Sequence, residues 1–385
     1  MVNFQPISNV LGVLLGMLGV IMLFIGLGFY YVEDSTLWAF GKAGFITSGI
    51  GLFLWFINFG KKTYVNKREG YMIVTLAWLS MVSFGSLPYY FSGVTENYSD
   101  MIFESVSGFT TTGATIFNDI EGLPNSILLW RSMTQWIGGM GIIVLTVAIL
   151  PLLGIGGIQL FAAEAPGPTS DKIHPRIQGT AKRLWLIYVG FTLLLMVILY
   201  FEGMTAFDAV NHGLTTMATG GFSTKNESIA YFTSPLIQYT ISLFMIIAGT
   251  NYAMLYFGLR GKFKMLLSND EFKFYIILLT IFTALVTAGM VFRSNMDLES
   301  SFRASLFQVI SLITTTGYVT KDYTSFSPFI TSICFMFLFI GACAGSTSGG
   351  IKLIRHLVLS KNSYLEFKRI LHPRGVIRMK INKQL

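Results

Sequence analysis

Ser107-Gly-Phe-Thr-Thr-Thr-Gly-Ala-Thr-Ile-Phe117 decides how this chain is read, because the stretch comes back. Ser311-Leu-Ile-Thr-Thr-Thr-Gly-Tyr-Val-Thr320 repeats it, and Gly213-Leu-Thr-Thr-Met-Ala-Thr-Gly-Gly-Phe-Ser-Thr224 is a looser copy between the two. Each follows residues able to form a short helix, and each sits between two long apolar segments. A Thr-Thr-Thr-Gly turn is too polar to face lipid and too extended to be helix. Irregular backbone at membrane depth persists only where it is buried in protein or lines a watery cavity. Its carbonyls and threonine hydroxyls are hard oxygen acceptors, able to replace the hydration shell of an alkali cation. Three such turns read as three walls of an ion pore. The alternative is that threonine and glycine only let helices pack closely in lipid. Recurrence in register between spans weighs against it.

The surrounding composition agrees. Hydrophobic residues make up 53% of the 385 and charged residues only 12%, with mean hydropathy +0.62. A soluble domain carries about 25% charge, so this is a polytopic membrane protein. The first apolar run, from about Val10 to Tyr30, is long enough to cross a bilayer and is not read as a cleavable signal. Cys334 and Cys343 lie nine apart in an apolar segment. On a continuous helix they take opposite faces, so they read as small buried residues and not as a disulfide or metal pair.

Eight spans follow from the hydropathy: two leading ones, Val10–Tyr30 and about Leu37–Phe59, then about Tyr71–Phe91, Ile127–Leu153, Leu184–Phe201, Pro235–Leu259 and Phe274–Phe292. The eighth starts near Phe329, breaks at a glycine-rich run, and resumes through Ile351 to Leu359. The connections Lys61–Arg68, Gly154–Arg183 and Arg260–Lys273, with the tail from Lys352, hold 21 of the 27 Lys and Arg. The opposite side holds 13 of the 19 Asp and Glu, among them Glu33, Asp34, Asp119, Glu121 and Glu202. The positive-inside rule makes the basic side cytoplasmic, with both termini inside and every turn opening outward. The net charge of +8 is thus a topology signal and not a nucleic-acid footprint.

The fold expected is an all-α polytopic membrane protein. Two leading spans (residues 1–68) precede three span–pore-helix–filter–span repeats around a pseudo-symmetric ion pore. The repeats take residues 69–154, 155–264 (with a cytoplasmic connection) and 265–360, and 361–385 is a basic cytoplasmic tail. The filter glycines align as Gly113, Gly220 and Gly317. Pore helices such as Phe103–Phe109 and Leu306–Ile313 aim negative ends at a cation. Fourfold closure needs a fourth repeat, which the sequence is expected to lack.

Gly341-Ala-Cys-Ala-Gly-Ser-Thr-Ser-Gly-Gly350, followed by Ile351-Lys352, should unwind the last span into a polar loop; a small-residue packing surface is the alternative. It is no nucleotide P-loop, since Ile351 stands where the lysine belongs and no strand precedes it. Arg131, Glu104, Asp119, Asp208 and Asp322 near the outer mouth could attract cations or pair with each other, but most of them read as solvated interfacial charge. His212, in the second pore helix, reads as a helix-packing or hydrogen-bonding residue and not as a ligand. His174, His356 and His372 show no metal spacing. With no nucleophile–base constellation or paired catalytic carboxylates, the residues support no enzyme and no cofactor.

These motifs together, Thr-Thr-Thr-Gly twice, Gly220-Gly-Phe-Ser-Thr224, and Ala344-Gly-Ser-Thr-Ser-Gly-Gly350, resemble the Trk/Ktr/HKT potassium-transporter superfamily, most of all its bacterial TrkH-type membrane subunits. The two leading spans and Lys67-Arg-Glu-Gly70 fit that subgroup. The resemblance implies K⁺ as the transported ion, in the cytoplasmic (inner) membrane of a bacterium. It places Thr111, Thr112, Gly113, Thr219, Gly220, Gly221, Thr315, Thr316 and Gly317 on the ion path. It makes Gly341, Gly345, Ser346, Thr347, Ser348, Gly349, Gly350 and Lys352 an intramembrane gate. It further implies a homodimer and a docked cytosolic nucleotide-binding ring protein. The basic cytoplasmic surface also suits anionic membrane lipids, and both readings of it stay open. The family carries four repeats. If one is missing here, a separate chain supplies it, or the polypeptide is a non-conducting remnant or one half of a split transporter.

Overall fold

A computed structural model describes residues 3–29, 34–58, 67–141, 177–293, 297–322, 328–372 and 379–382. The second half of the expected fourth span, most of the Gly154–Arg183 connection with His174, and most of the Lys61–Arg68 cluster lie outside the described residues, as does Glu33. The chain divides into two compact units, Met1–Ser228 and Ile229–Leu385.

In the first unit α1 (Phe4–Gly28) and α2 (Asp34–Phe56) lie against each other along small residues. A Cβ on Gly12 would sit 2.7 Å from the Gly51 carbonyl oxygen, and one on Gly19 would sit 2.3 Å from Ser48 Oγ. Glycine there lets two apolar helices approach backbone to backbone, the usual contact in lipid. Then come α3 (Lys67–Gly85), α4 (Leu87–Ser92), α5 (Tyr98–Phe109) and α6 (Asn125–Gly139). Their centre is Trp130, fully buried on α6. Its indole N–H donates to the Gly85 carbonyl at 3.0 Å, and its ring meets Phe40 and Phe109 edge-on at 6.1 and 6.5 Å. Helices α7 (Ile177–Phe201) and α8 (Ala206–Met217) complete the unit, with Trp136 stacked on Tyr188 at 5.6 Å.

The second unit opens with a 3₁₀ turn at Ser228–Tyr231. Next, α9 (Pro235–Ala248) and α10 (Tyr252–Leu259) form one apolar segment bent by 107°. Asn251 ends the break by accepting the Ala253 and Met254 N–H groups at 2.8 and 3.3 Å, capping α10. Short α11 (Phe263–Ser268) leads into α12 (Asp270–Arg293), α13 (Leu298–Ile313), α14 (Pro328–Phe337) and α15 (Leu353–Leu371). Asp297 caps α13 through the Ser300 N–H at 3.2 Å.

Five described helices are long and apolar enough to cross a membrane, six if the bent pair counts as one span. The unit boundary falls inside the 155–264 segment. The second turn is held by Gln135 of α6, whereas α9 packs against α13. Two expectations shift. The final helix begins at Leu353 and runs to Leu371 instead of ending at Leu359, because α15 loses its hydropathy but keeps helix-forming Leu, Lys, Glu and Arg. And α14 stops at Phe337, so Cys343 sits on no helix; both thiols are nonetheless buried and unpaired in disulfide.

Candidate functional site

The three turns share one backbone design. The helices α5, α8 and α13 each end in a Schellman arrangement, in which the last carbonyls are satisfied by the residues just past the end. Thr111 N–H donates to Gly108 O at 3.0 Å and Thr112 N–H to Ser107 O at 2.9 Å. Thr219 to Thr216 O and Gly220 to Thr215 O repeat this at 3.0 and 2.9 Å, and so do Thr315 to Leu312 O and Thr316 to Ser311 O. The residue in the left-handed region is normally glycine. Here it is threonine each time, at φ 54°, 51° and 55° for Thr111, Thr219 and Thr315. A β-branched residue held there costs roughly 1–3 kcal/mol, an expense concentrated at functional sites. Two residues on, Gly113, Gly221 and Gly317 take φ of 80°, 80° and 81°.

That geometry corrects the alignment of the second turn. Gly220 matches Thr112 and Thr316, and the glycine equivalent to Gly113 and Gly317 is Gly221. Two adjacent glycines hide this in sequence; the sign of φ separates them.

Serines on α5 and α13 pin the segment leaving the turn. Ser107 Oγ donates to Ala114 O at 2.5 Å and Ser311 Oγ to Tyr318 O at 2.7 Å. At the second turn the job passes to Gln135 of α6, which is fully buried. Its amide N–H donates to Gly220 O at 2.7 Å, and its Oε1 accepts the Phe222 N–H at 3.1 Å. The first and second turns also touch: a Cβ on Gly113 would stand 2.2 Å from Gly220 O.

Around these turns, solvated charge fails for three of the five outer-mouth charges, and pairing takes its place. Arg131, Glu104 and Asp208 are not solvated interfacial charge; they are 1%, 0% and 4% exposed. Arg131 Nε lies 2.7 Å from Glu104 Oε1, and the guanidinium faces the Phe222 ring at 4.2 Å. Glu104 also accepts the Ile116 N–H and the Thr115 hydroxyl at 3.1 Å. A carboxylate can leave water when its oxygens are filled in this way. Asp208 takes the Thr224 hydroxyl at 2.5 Å, with Lys225 at 3.7 Å. Asp119 and Asp322 do stay exposed. His212 bridges α8 to its turn, with Nδ1 2.8 Å from Asp208 O and Nε2 3.0 Å from Ser223 Oγ. A carbonyl only accepts, so the proton sits on Nδ1 and the Ser223 hydroxyl donates to Nε2.

In the second unit the residues 341–350 form a closed loop. A parallel bridge joins Ile340 and Ile351 at its neck, and Gly341 N–H donates to Ile351 O at 2.9 Å. Ser348 Oγ accepts the Ala342 N–H at 3.1 Å, Ser346 Oγ lies 2.9 Å from Ser348 Oγ, and the Lys352 ammonium caps the Ser348 carbonyl. The loop rests on the α9–α10 bend through Cys343 N–H to Gly249 O and Tyr252 N–H to Gly345 O, both at 3.0 Å, with Thr347 on Ala248 O at 3.3 Å. It reaches the third turn through Gly349 N–H, which donates to Thr315 Oγ1 at 2.7 Å. Glu271 of α12 accepts the Ala344 N–H at 2.7 Å.

Gln135, Asn251 and Glu271 escaped the sequence reading. Each carried a signal: an amide inside an apolar span, an Asx residue after Gly249-Thr250, and an acid on the basic side of the topology. Among the described residues no group of three or more His, Cys, Asp or Glu is placed to hold a metal ion.

The chain is similar to named transport proteins along nearly its whole length. The Trk system potassium uptake protein TrkH of Salmonella typhimurium is 41% identical over 386 residues, covering 99% of this chain and 80% of the relative. The Escherichia coli Trk system potassium uptake protein TrkG is 35% identical over 359 residues, covering 92% of this chain and 74% of the relative. The crystal structure of the potassium transporter TrkH from Vibrio parahaemolyticus matches with a TM-score of 0.88 at 35% identity, over all of this chain and 80% of that one. The sequence pattern of the TrkH family, described as cation transport protein, matches residues 37–385. This chain, a multi-pass membrane protein, belongs to the TrkH family.

Proposed function

We propose that the chain takes up potassium across the cytoplasmic membrane as the membrane subunit of a Trk-type system, by passive filter selection and not as an enzyme. The observation that carries this is the threefold recurrence of one turn, a left-handed threonine followed two residues later by a left-handed glycine, at the end of a helix. Relatives that are 41% identical are named as potassium uptake proteins. Each helix directs the negative end of its dipole at its turn, which favours a cation. The turns then supply oxygens from Thr111, Thr112 and Gly113, from Thr219, Gly220 and Gly221, and from Thr315, Thr316 and Gly317. Glycine leaves backbone carbonyls to dominate, which suits a weakly hydrated ion such as K⁺ over Na⁺.

In the same reading Gly341–Gly350, with Gly345, Ser346, Thr347, Ser348, Gly349 and Lys352, is an intramembrane gate. Both termini lie in the cytoplasm. The protein dimerises, and a cytosolic nucleotide-binding partner docks on the basic face and acts on the loop. Growth of a bacterium lacking its own K⁺ uptake systems, at low external K⁺, tests the whole. Expression of this chain together with its regulatory partner restores growth. Failure to do so with the protein verified in the membrane overturns the reading.

A further inference from the structure

The loop 341–350 is fastened to α12 by one carboxylate. Glu271 is 6% exposed, and its Oε1 accepts two backbone N–H groups, from Ala344 at 2.7 Å and from Ile354 at 3.1 Å. Ala344 lies in the loop and Ile354 in the first turn of α15 beyond it. One side chain therefore grips the loop and the helix that leaves it. The preceding residue faces elsewhere. Asp270 Oδ2 holds Lys361 Nζ of α15 at 2.7 Å and the Asn382 N–H at 3.1 Å, and the Asp270 N–H donates to Asn382 Oδ1 at 2.8 Å. Successive residues of a helix project about 100° apart. The first turn of α12 thus carries two grips in different directions, one on the loop and one on Lys361 and Asn382.

We propose that Glu271 is a positioning residue that holds the loop in place, and that Asp270 makes this hold depend on the α15–Asn382 segment. The first turn of α12 is then the joint by which a load on α15 and the segment at Asn382 frees the loop. The joint's effect on ion flux rests on reading the loop as a gate; the grip itself does not. Backbone amides bound to a buried carboxylate exchange only when the contact opens, so hydrogen exchange reads the grip directly.

The test uses the full chain in proteoliposomes, with rubidium influx and amide exchange measured on the same preparations. Glu271→Met removes the acceptor at similar volume, Glu271→Gln keeps one accepting oxygen without charge, and Asp270→Asn alters only the outward grip. Deletion of residues 345–348 reports on the gate. Exchange at Ala344 and Ile354 is expected to quicken at least tenfold in Glu271→Met, with a smaller rise in Glu271→Gln. Influx is expected to rise at least fivefold in Glu271→Met with the K⁺ over Na⁺ preference unchanged, an outcome that simple misfolding does not give. Unchanged exchange in Glu271→Met overturns the positioning role. If that variant does not fold, Asp270→Asn decides, since unchanged exchange at Ala344 there overturns the joint. A high influx in the loop deletion without one in Glu271→Met and Asp270→Asn overturns the joint and leaves the gate reading standing. Quickened exchange with no rise in influx in any variant, the deletion included, overturns the gate reading alone.

Discussion

The hydroxyl of Thr315 accepts a hydrogen bond from the backbone N–H of Gly349 at 2.7 Å, a bond that ties the third threonine turn to the polar loop. Thr315 is also the residue held at φ 55°. A strained threonine thus offers its hydroxyl to the loop, which glycine, the easier occupant of that backbone, lacks. Replacing Thr315 with Val keeps the branched shape and removes the acceptor. A hydrogen bond of this kind contributes about 1 kcal/mol net. Exchange of the Gly349 amide should therefore quicken by about fivefold, read by hydrogen exchange with mass spectrometry. Unchanged protection would show that the bond does not hold the loop.

Gly113 and Gly317 share a backbone conformation but not a neighbourhood. A Cβ at Gly113 meets the Gly220 carbonyl at 2.2 Å, whereas among the described residues nothing lies within 4 Å of one at Gly317. Gly317→Ser therefore incurs only the left-handed strain of roughly 1–3 kcal/mol. Gly113→Ser adds a collision with the backbone of the second turn. Thermal unfolding in detergent should rank Gly113→Ser clearly below Gly317→Ser, and both should weaken discrimination between K⁺ and Na⁺. Equal melting temperatures would contradict the contact between the first two turns.

Gln135 holds Gly220 O and the Phe222 N–H at once. Leucine in its place leaves a buried donor and a buried acceptor unpaired, at about 1–3 kcal/mol each. Gln135→Leu is expected to lower the melting temperature and to cost K⁺ selectivity through the second turn, measured by Na⁺ against K⁺ competition for rubidium influx. Selectivity unchanged in a folded Gln135→Leu protein would mean that the second turn keeps its shape without the clamp.

The turns were legible because Thr-Thr-Thr-Gly is too polar to face lipid, does not continue a helix, and recurs, and α5 and α13 end at Phe109 and Ile313 where the motif places them. What escaped depended on partners far along the chain. Gln135 and Gly220 are 85 residues apart, and Glu271 and Ala344 are 73 apart. No local pattern pairs them. Pairing of Arg131 with an acid of the outer mouth was open in the sequence, but not which acid, nor that the pair is buried, because Glu104 lies 27 residues away. The extent of α15 escaped for another reason: hydropathy marks where a helix leaves an apolar environment, not where its hydrogen bonding stops.

Arg131 and Glu104 give the last prediction. Both are buried, 2.7 Å apart, and Glu104 is further satisfied by Thr115 and the Ile116 N–H on the strand leaving the first turn. Removing one partner of a buried pair leaves an uncompensated charge, at about 3–5 kcal/mol, whereas replacing both by uncharged groups of similar volume is often close to neutral. Arg131→Met should therefore be strongly destabilising. The double variant Arg131→Met with Glu104→Gln should recover most of the loss, because glutamine keeps an acceptor for Ile116 N–H and carries no charge. Thermal unfolding of the two single variants and the double variant in one detergent measures the coupling. A pair that only neutralises itself yields a double variant near the parent in stability and in K⁺ selectivity. If stability returns but selectivity does not, the Arg131 cation over Phe222, 4.2 Å away, is needed to shape the second turn as well. Additive losses in both measurements would refute the pairing.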